Sequence, residues 1–155
     1  MSSKTAERQY KVFRIENGTV IDHMPHWAAR QVVELLGLAG TDSLVTVGFG
    51  LQSDKMGRKD LLKVENRELT QQEINRIALV APQATINLIR NGQTTQKFTV
   101  ELPLEFTGLA RCGNHGCITR AENVPTRFST VSREPVALRC HYCCFVTRGS
   151  DLELL

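Results

Sequence analysis

All five cysteines of this 155-residue chain fall between Cys112 and Cys144. Four residues separate Cys112 from Cys117, two separate Cys140 from Cys143, and twenty-two lie between the pairs. Two close thiol pairs on tight turns can aim four sulfurs at one ion, and Zn²⁺ takes tetrahedral thiolates at about 2.3 Å. Gly113 and Gly116 suit the first turn, where backbone amides curl toward the sulfurs. Cys144 follows Cys143 directly. Neighbours on an extended chain point to opposite faces, so one of the two is a spare thiol, and the C-x-x-C spacing favours Cys143 as the ligand. Two alternatives stand beside this reading: His115 or His141 replacing a sulfur, and two disulfides with one free thiol. Four thiolates leave no open position for water, so the expected zinc site is structural, not catalytic. About 50 residues bury little core alone, and the metal would supply the missing folding energy.

A second set of residues could hold a phosphorylated ligand. Asp22 and His23 interrupt an apolar run, and Arg58, Lys59, Lys63 and Lys97 lie on or beside predicted strands. Lysines hold phosphates as point charges, and an Asp can accept from ribose hydroxyls. On these residues alone, a charged solvated face is the simpler explanation of the pattern, and the phosphate reading needs further support. The chain shows neither a G-x-x-x-x-G-K-[ST] loop nor a G-x-G-x-x-G fingerprint. His23 and His26 have no evident nucleophile nearby, so no catalytic triad is expected.

Composition frames these sites. Hydrophobic residues make up 41% and charged residues 23%, which is enough apolar material for a folded core. The net charge of +3 is divided evenly: residues 1–102 carry 13 basic against 11 acidic residues, and 103–155 carry 6 against 5. Neither half is a basic block, which argues against nucleic acid as a partner. MSSKTAERQYK has no apolar core of a secretory signal, and no apolar run approaches the roughly 20 residues of a membrane span. The expected location is the cytoplasm, where closely spaced cysteines are more often metal ligands than disulfides.

The elements that must position these residues alternate. YKVFRI reads as a strand, and Asn17-Gly18 as a turn before a second extended run, 19–24. PHWAARQVVELLG reads as a helix with Pro25 near its first position, Gly37 near its stop, and Ala28, Val32, Leu35 and Ala39 on one face. SLVTVGFGL and DLLKVEN read as strands around a polar loop, QSDKMGRK. LTQQEINRIALVAP carries a capping box at Thr70 and Glu73 and an apolar stripe of Ile74, Ile77, Ala78 and Ala81, stopped by Pro82. ATINLIR and TQKFTVEL form a hairpin about NGQT. The order predicts an α+β protein: an N-terminal ferredoxin-like sandwich, an antiparallel sheet with two helices on one face. A small β-rich zinc-binding domain follows, its short runs broken by Pro125 and Pro135. The expected boundary divides 1–102 from 103–155, with the join in ELPLEFTGLAR, residues 101–111.

Longer strings add to this reading. NGTVIDHM, MGRKDLLKVEN and LVAPQATINLI, with the cysteine spacing and the domain order, make the chain resemble the regulatory chain of bacterial and archaeal aspartate carbamoyltransferase over about residues 8–148. The resemblance implies a non-catalytic subunit acting in pyrimidine biosynthesis. Its N-terminal domain would bind the nucleotide effectors CTP and ATP and pair with a second regulatory chain. Its zinc domain would grip the catalytic chain. Carried over residue by residue, Asp22 and Lys63 match ribose-holding positions, and His23 and Lys97 match positions near the phosphates. Val12, Ile15 and Ile89 match positions around the base, and Lys59, Thr85 and Asn87 line the same pocket. Cys112, Cys117, Cys140 and Cys143 match the zinc ligands, leaving Cys144 spare. The chain departs from the pattern at Gly92, where some relatives place an aromatic, at Gln9, where some have a lysine, and at Cys144, often a charged residue. One residue is also missing between Phe128 and Cys140. The two other readings are a zinc-ribbon nucleic-acid binder and a small hydrolase using Asp22 with His23. The first conflicts with the dispersed arginines of the C-terminal half. The second conflicts with strand alternation, which would turn the two side chains apart.

Overall fold

The computed structural model describes residues 14–155. The strand expected at 10–15 therefore lies largely outside the described residues, as does Val12, and Arg14 and Ile15 are irregular. Strands β1 (Gly18–Met24), β2 (Val45–Ser53), β3 (Gly57–Glu65), β4 (Thr85–Arg90) and β5 (Gln93–Thr99) form one sheet in the order β2-β3-β1-β4-β5. Every pairing is antiparallel. With helices α1 (Ala28–Leu35) after β1 and α2 (Gln71–Val80) after β3, the first four strands have the ferredoxin-like arrangement expected from the sequence, and β5 extends it.

Alternation along β3 shows how the sheet is used. Asp60, Leu62 and Val64 are buried, while Lys59, Leu61, Lys63 and Glu65 are half-buried on the other side. Ile21, Leu62 and Ile86 stand opposite one another across three strands. They pack with Ala29 and Val32 of α1 and Ile77 and Ala78 of α2 in one apolar cluster. Helix α2 begins as predicted. The Thr70 side chain accepts from the Glu73 amide at 3.2 Å, and the Glu73 carboxylate answers at the Thr70 amide. All four residues of its predicted stripe are buried. The β4–β5 turn places Asn91 and Gly92 at φ 52° and 75°, the mirror-image turn whose twist matches a hairpin.

Helix α1 differs from expectation. It begins at Ala28, three residues after Pro25, because Trp27 sits in a left-handed conformation at φ 76°. It ends at Leu35, and Leu38–Gly40 forms a separate 3₁₀ turn. Ala28 and Val32 are buried, but Leu35 is only half-buried and Ala39 is exposed; Ala29 and Leu36 complete the buried face. The expected loop 52–59 is mostly strand, since β2 and β3 run to a tight turn at Asp54–Met56. Cross-strand pairing there outweighs the polarity of the sequence.

From residue 105 onward β6 (Glu105–Thr107), β8 (Arg127–Arg133), β9 (Val136–Cys140) and β10 (Val146–Arg148) form a second sheet, ordered β10-β9-β8-β6. β7 (Ala110–Arg111) pairs with β11 (Glu153–Leu154), and α3 (Ile118–Ala121) is a single helical turn. The predicted join at 101–111 thus contains two short strands. Apolar side chains continue without interruption from Ile86 through Val100 and Leu102 to Leu109, Phe128 and Leu138.

Candidate metal centre and basic sheet face

The four predicted ligand thiols converge. The Sγ atoms of Cys112, Cys117, Cys140 and Cys143 all lie within 4.8 Å of one another. Cys112 and Cys143 are 3.6 Å apart, and Cys117 and Cys140 3.8 Å. Four sulfurs placed tetrahedrally at about 2.3 Å from an ion stand about 3.8 Å from each other, so the donor set fits a tetrahedral thiolate-bound cation. The alternative with two disulfides does not hold in this structure, where all five cysteines are free. His115 and His141 are outside the cluster.

Turn geometry builds the two halves of the site. In the first, the Cys117 amide donates to the Asn114 carbonyl at 3.0 Å, and the Asn114 side chain accepts from the Gly116 amide at 3.0 Å. In the second, the Cys144 amide donates to the Cys140 carbonyl and the Cys140 amide to the Phe145 carbonyl, both at 2.9 Å. This curl sets Cys144 at φ 65°, exposed and away from the cluster. Burial pushes the Cys112 thiol up to about 12 and raises that of Cys140. Burial acts the same way on Cys143, but the Phe145 amide, the Asn114 side chain and the neighbouring thiols outweigh it and bring Cys143 down to about 7. Without a cation two of the buried thiols hold their protons firmly; a dication at the centre supplies the charge that makes four thiolates tolerable. Two supporting contacts were not foreseen: the Thr119 hydroxyl donates to Cys117 Sγ at 3.2 Å, and Arg120 Nε donates to the Cys112 carbonyl at 2.6 Å. Their only trace in the sequence is closeness to Cys117.

The N-terminal candidates gather on the sheet face opposite the helices. Val20 stands across from Lys63 on one side and Asn87 on the other, and Asn87 stands across from Lys97. These four residues form one row across β3, β1, β4 and β5, about 14 Å long at about 4.8 Å per strand. Asp22 and Thr85 face one another in the next row. Ile89 and Lys59 lie on the same face at the two ends, by strand alternation from Asn87 and Lys63. Ile15 is buried. The centre of the row, Val20, was missed by the sequence reading, although alternation from Asp22 locates it. Arg58 is exposed near the β2–β3 turn.

Charges on this face are arranged in detail. Lys59 Nζ contacts both carboxylate oxygens of Asp22, at 2.9 and 3.1 Å. Burial lowers the pKa of Lys63, nearby Arg14 lowers it further, and Asp22 opposes them. His23 departs from the expectation of strict alternation. The β1–β3 register shifts between Ile21 and Met24, and His23 takes φ 56°. The bulge turns its ring back toward the Asp22 side, with Nδ1 2.9 Å from Thr85 Oγ1 and 3.9 Å from Asp22 Oδ2. Cation, carboxylate, imidazole and amide groups thus share one open face, with no cysteine or serine among the assembled residues.

A ferredoxin-like sheet with a basic outer face, followed by a β-rich part that gathers four thiols, defines an α+β chain with a structural metal centre. Comparison with known sequences makes the class specific. Residues 10–101 match the family described as aspartate carbamoyltransferase regulatory chain, allosteric domain, and residues 105–151 match its metal binding domain. Regulatory chains from Pyrococcus horikoshii and Pyrococcus abyssi are 46% and 47% identical over 137 residues, covering 87% of this chain and 90% of theirs. That of Methanothermobacter thermautotrophicus is 43% identical over 146 residues, covering 94% of both. The chain belongs to the aspartate carbamoyltransferase regulatory chains, a family of non-catalytic subunits. Among the described residues no helix is long and apolar enough to cross a membrane.

Proposed function

We propose that this chain is the cytoplasmic regulatory subunit of an aspartate carbamoyltransferase, and that it binds CTP and ATP on the outer face of its N-terminal sheet. The observation carrying this reading is the cross-strand row of Lys63, Val20, Asn87 and Lys97 beside the Asp22–Lys59 pair. A triphosphate needs several cations held in one groove, and a ribose needs a carboxylate or amide acceptor. In this assignment Asp22 and Lys63 hold the ribose, and His23 and Lys97 meet the phosphates. Ile15, Ile89 and Val12 surround the base, and Lys59, Thr85 and Asn87 complete the pocket. Residues 1–102 form the effector domain and 103–155 the domain that grips the catalytic chain. The ion at Cys112, Cys117, Cys140 and Cys143 is zinc, the metal favoured by four tetrahedral thiolates. Pairing with a second regulatory chain through the N-terminal domain is supported by β2, an edge strand with exposed Phe49 beside Trp27 and exposed Leu44 just before its start. An effector alters the catalytic chain only by favouring one assembly state over another, and a difference of about 1–3 kcal/mol suffices.

The test is calorimetric titration of the zinc-loaded chain with CTP and ATP, beside Lys63→Ala/Lys97→Ala. Mutually competitive binding that the double variant loses is expected. Failure of the parent chain to bind either nucleotide would refute the effector role and leave a metal-stabilised bridge.

A further inference from the structure

The arginines of the C-terminal part are scattered along the sequence, and the second sheet gathers three of them. One face of that sheet is core: Phe128, Leu138 and Cys140 are buried there. Strand register gives the opposite face. Arg148 of β10 stands across from Ala137, Arg139 of β9 across from Ser129, and Arg127 of β8 across from Thr107. Paired residues share a face, and every second residue along a strand returns to it. The three arginines therefore belong to one face, one on each of three neighbouring strands. Each is displaced from the next by one strand and two residues, about 8 Å, so they form a diagonal about 16 Å long. All three are exposed, and none forms an ion pair with a described residue. The strands place one carboxylate on this face, Glu105 of the edge strand β6, across from Ser129.

We propose that this face docks an acidic surface of the catalytic chain, with Arg127, Arg139 and Arg148 each meeting a carboxylate. The proposal rests on the regulatory-subunit reading above and names where the C-terminal part makes its contact. The charges are uncompensated within the chain, so a surface of opposite sign gains by meeting them. They are carried by arginine, whose planar fork takes a carboxylate through two hydrogen bonds, and arginine is enriched at protein interfaces where lysine is depleted. A line of separated charges suits an extended acidic surface; one small anion would need them converged on a point. Nucleic acid fits less well, because a duplex is commonly held through about 6–10 phosphate contacts, and this face offers three arginines beside a repelling Glu105. Exposed ion pairs contribute little each, so the diagonal acts mainly by steering the approach and fixing register.

The test measures association and dissociation of the full-length, metal-loaded chain with the catalytic chain of the same organism. It runs beside two triple variants, Arg127→Ser/Arg139→Ser/Arg148→Ser and Arg127→Lys/Arg139→Lys/Arg148→Lys. Parental affinity should fall about tenfold or more as salt rises from about 0.05 M to about 0.5 M. The serine variant should bind about tenfold more weakly at the lower salt, mostly through slower association, and lose most of the salt dependence. The lysine variant should keep the salt dependence. A serine variant with parental affinity and salt response would overturn the docking surface and leave the regulatory role intact. A parent chain that does not bind the catalytic chain would overturn both. Duplex DNA binding by the parent that the serine variant loses would assign the face to nucleic acid and overturn the proposal. Should the serine variant fail to fold, Arg139→Glu at the middle of the diagonal serves instead, and unchanged association would overturn the proposal.

Discussion

Asp60 is fully buried in β3 and carries a carboxylate. It accepts from the Gly50 amide at 3.0 Å and from the Ala29 amide at 3.1 Å, and His26 Nδ1 lies 3.3 Å away. One side chain thereby fixes the start of α1 and the irregular stretch of β2, where the β2–β3 register shifts between Gly48 and Leu51. Asp60→Ala leaves two backbone donors without a partner beneath the surface. Each orphaned donor costs about 1–3 kcal/mol. The His26 side chain is 30% exposed and can turn to water, so it adds little. The expected loss is about 2–5 kcal/mol. Asp60→Asn keeps one acceptor oxygen and should lose about half of that. Trp27, the sole tryptophan, lies against His26 with ring centroids 4.7 Å apart and the rings tilted by 41°, so its fluorescence reports on this network. In urea the Trp27 transition of Asp60→Ala should move down by about 1–3 M, taking a slope of about 1.5 kcal/mol per M. A midpoint within 0.3 M of the parent would refute the claim that this carboxylate anchors helix and strand.

Three further outcomes follow from the same geometry. Removing the metal with a chelator should unfold the region from Leu109 to Cys144 while the N-terminal sheet keeps its amide-exchange protection; equal loss of protection in both parts would contradict this. Gly113→Ala should weaken the metal centre, because an added Cβ would lie 2.9 Å from Thr147 Oγ1 and 3.2 Å from Phe145; metal release by a competing chelator should speed up several-fold, and an unchanged rate would count against it. Lys63 has a lowered pKa in the free chain, through burial and Arg14, and a bound anion would raise it. Nucleotide affinity should therefore be full below the free-chain pKa and fall as pH rises, beginning below the usual lysine value of 10.5, with Lys63→Met flattening the profile.

The parts of the fold legible in the sequence are those decided by local chemistry. The Thr70–Glu73 box, the Ile74–Ile77–Ala78 stripe and the Asn91-Gly92 turn each act within a few residues. The four-thiol cluster was equally readable, since spacing favours Cys143 over Cys144 and the family resemblance makes the same choice. What stayed hidden depends on distant contacts. Trp27 and His23 adopt positive φ without being glycine, held by the Asp60 network and the β1 bulge, and neither leaves a mark in composition. The strands inside 101–111 were missed because their partners, β8 and β11, lie far along the chain. The polar residues of the basic face were named one by one, but Val20 and the order of the row required the register of four strands.

Strand β3 has a final consequence for how such a chain can change over time. From Lys59 to Glu65 its odd-numbered residues lie on the basic outer face and its even-numbered residues are buried in the core. A single-residue deletion near its start would bring Lys63 and Glu65 to the places where Leu62 and Val64 now stand and turn Leu62 and Val64 out of the core. Substitution can tune this strand freely on one side, but its length is locked to steps of two. Variation in length among descendants of this sequence should therefore collect in the Asp54–Met56 turn, where the alternation starts afresh.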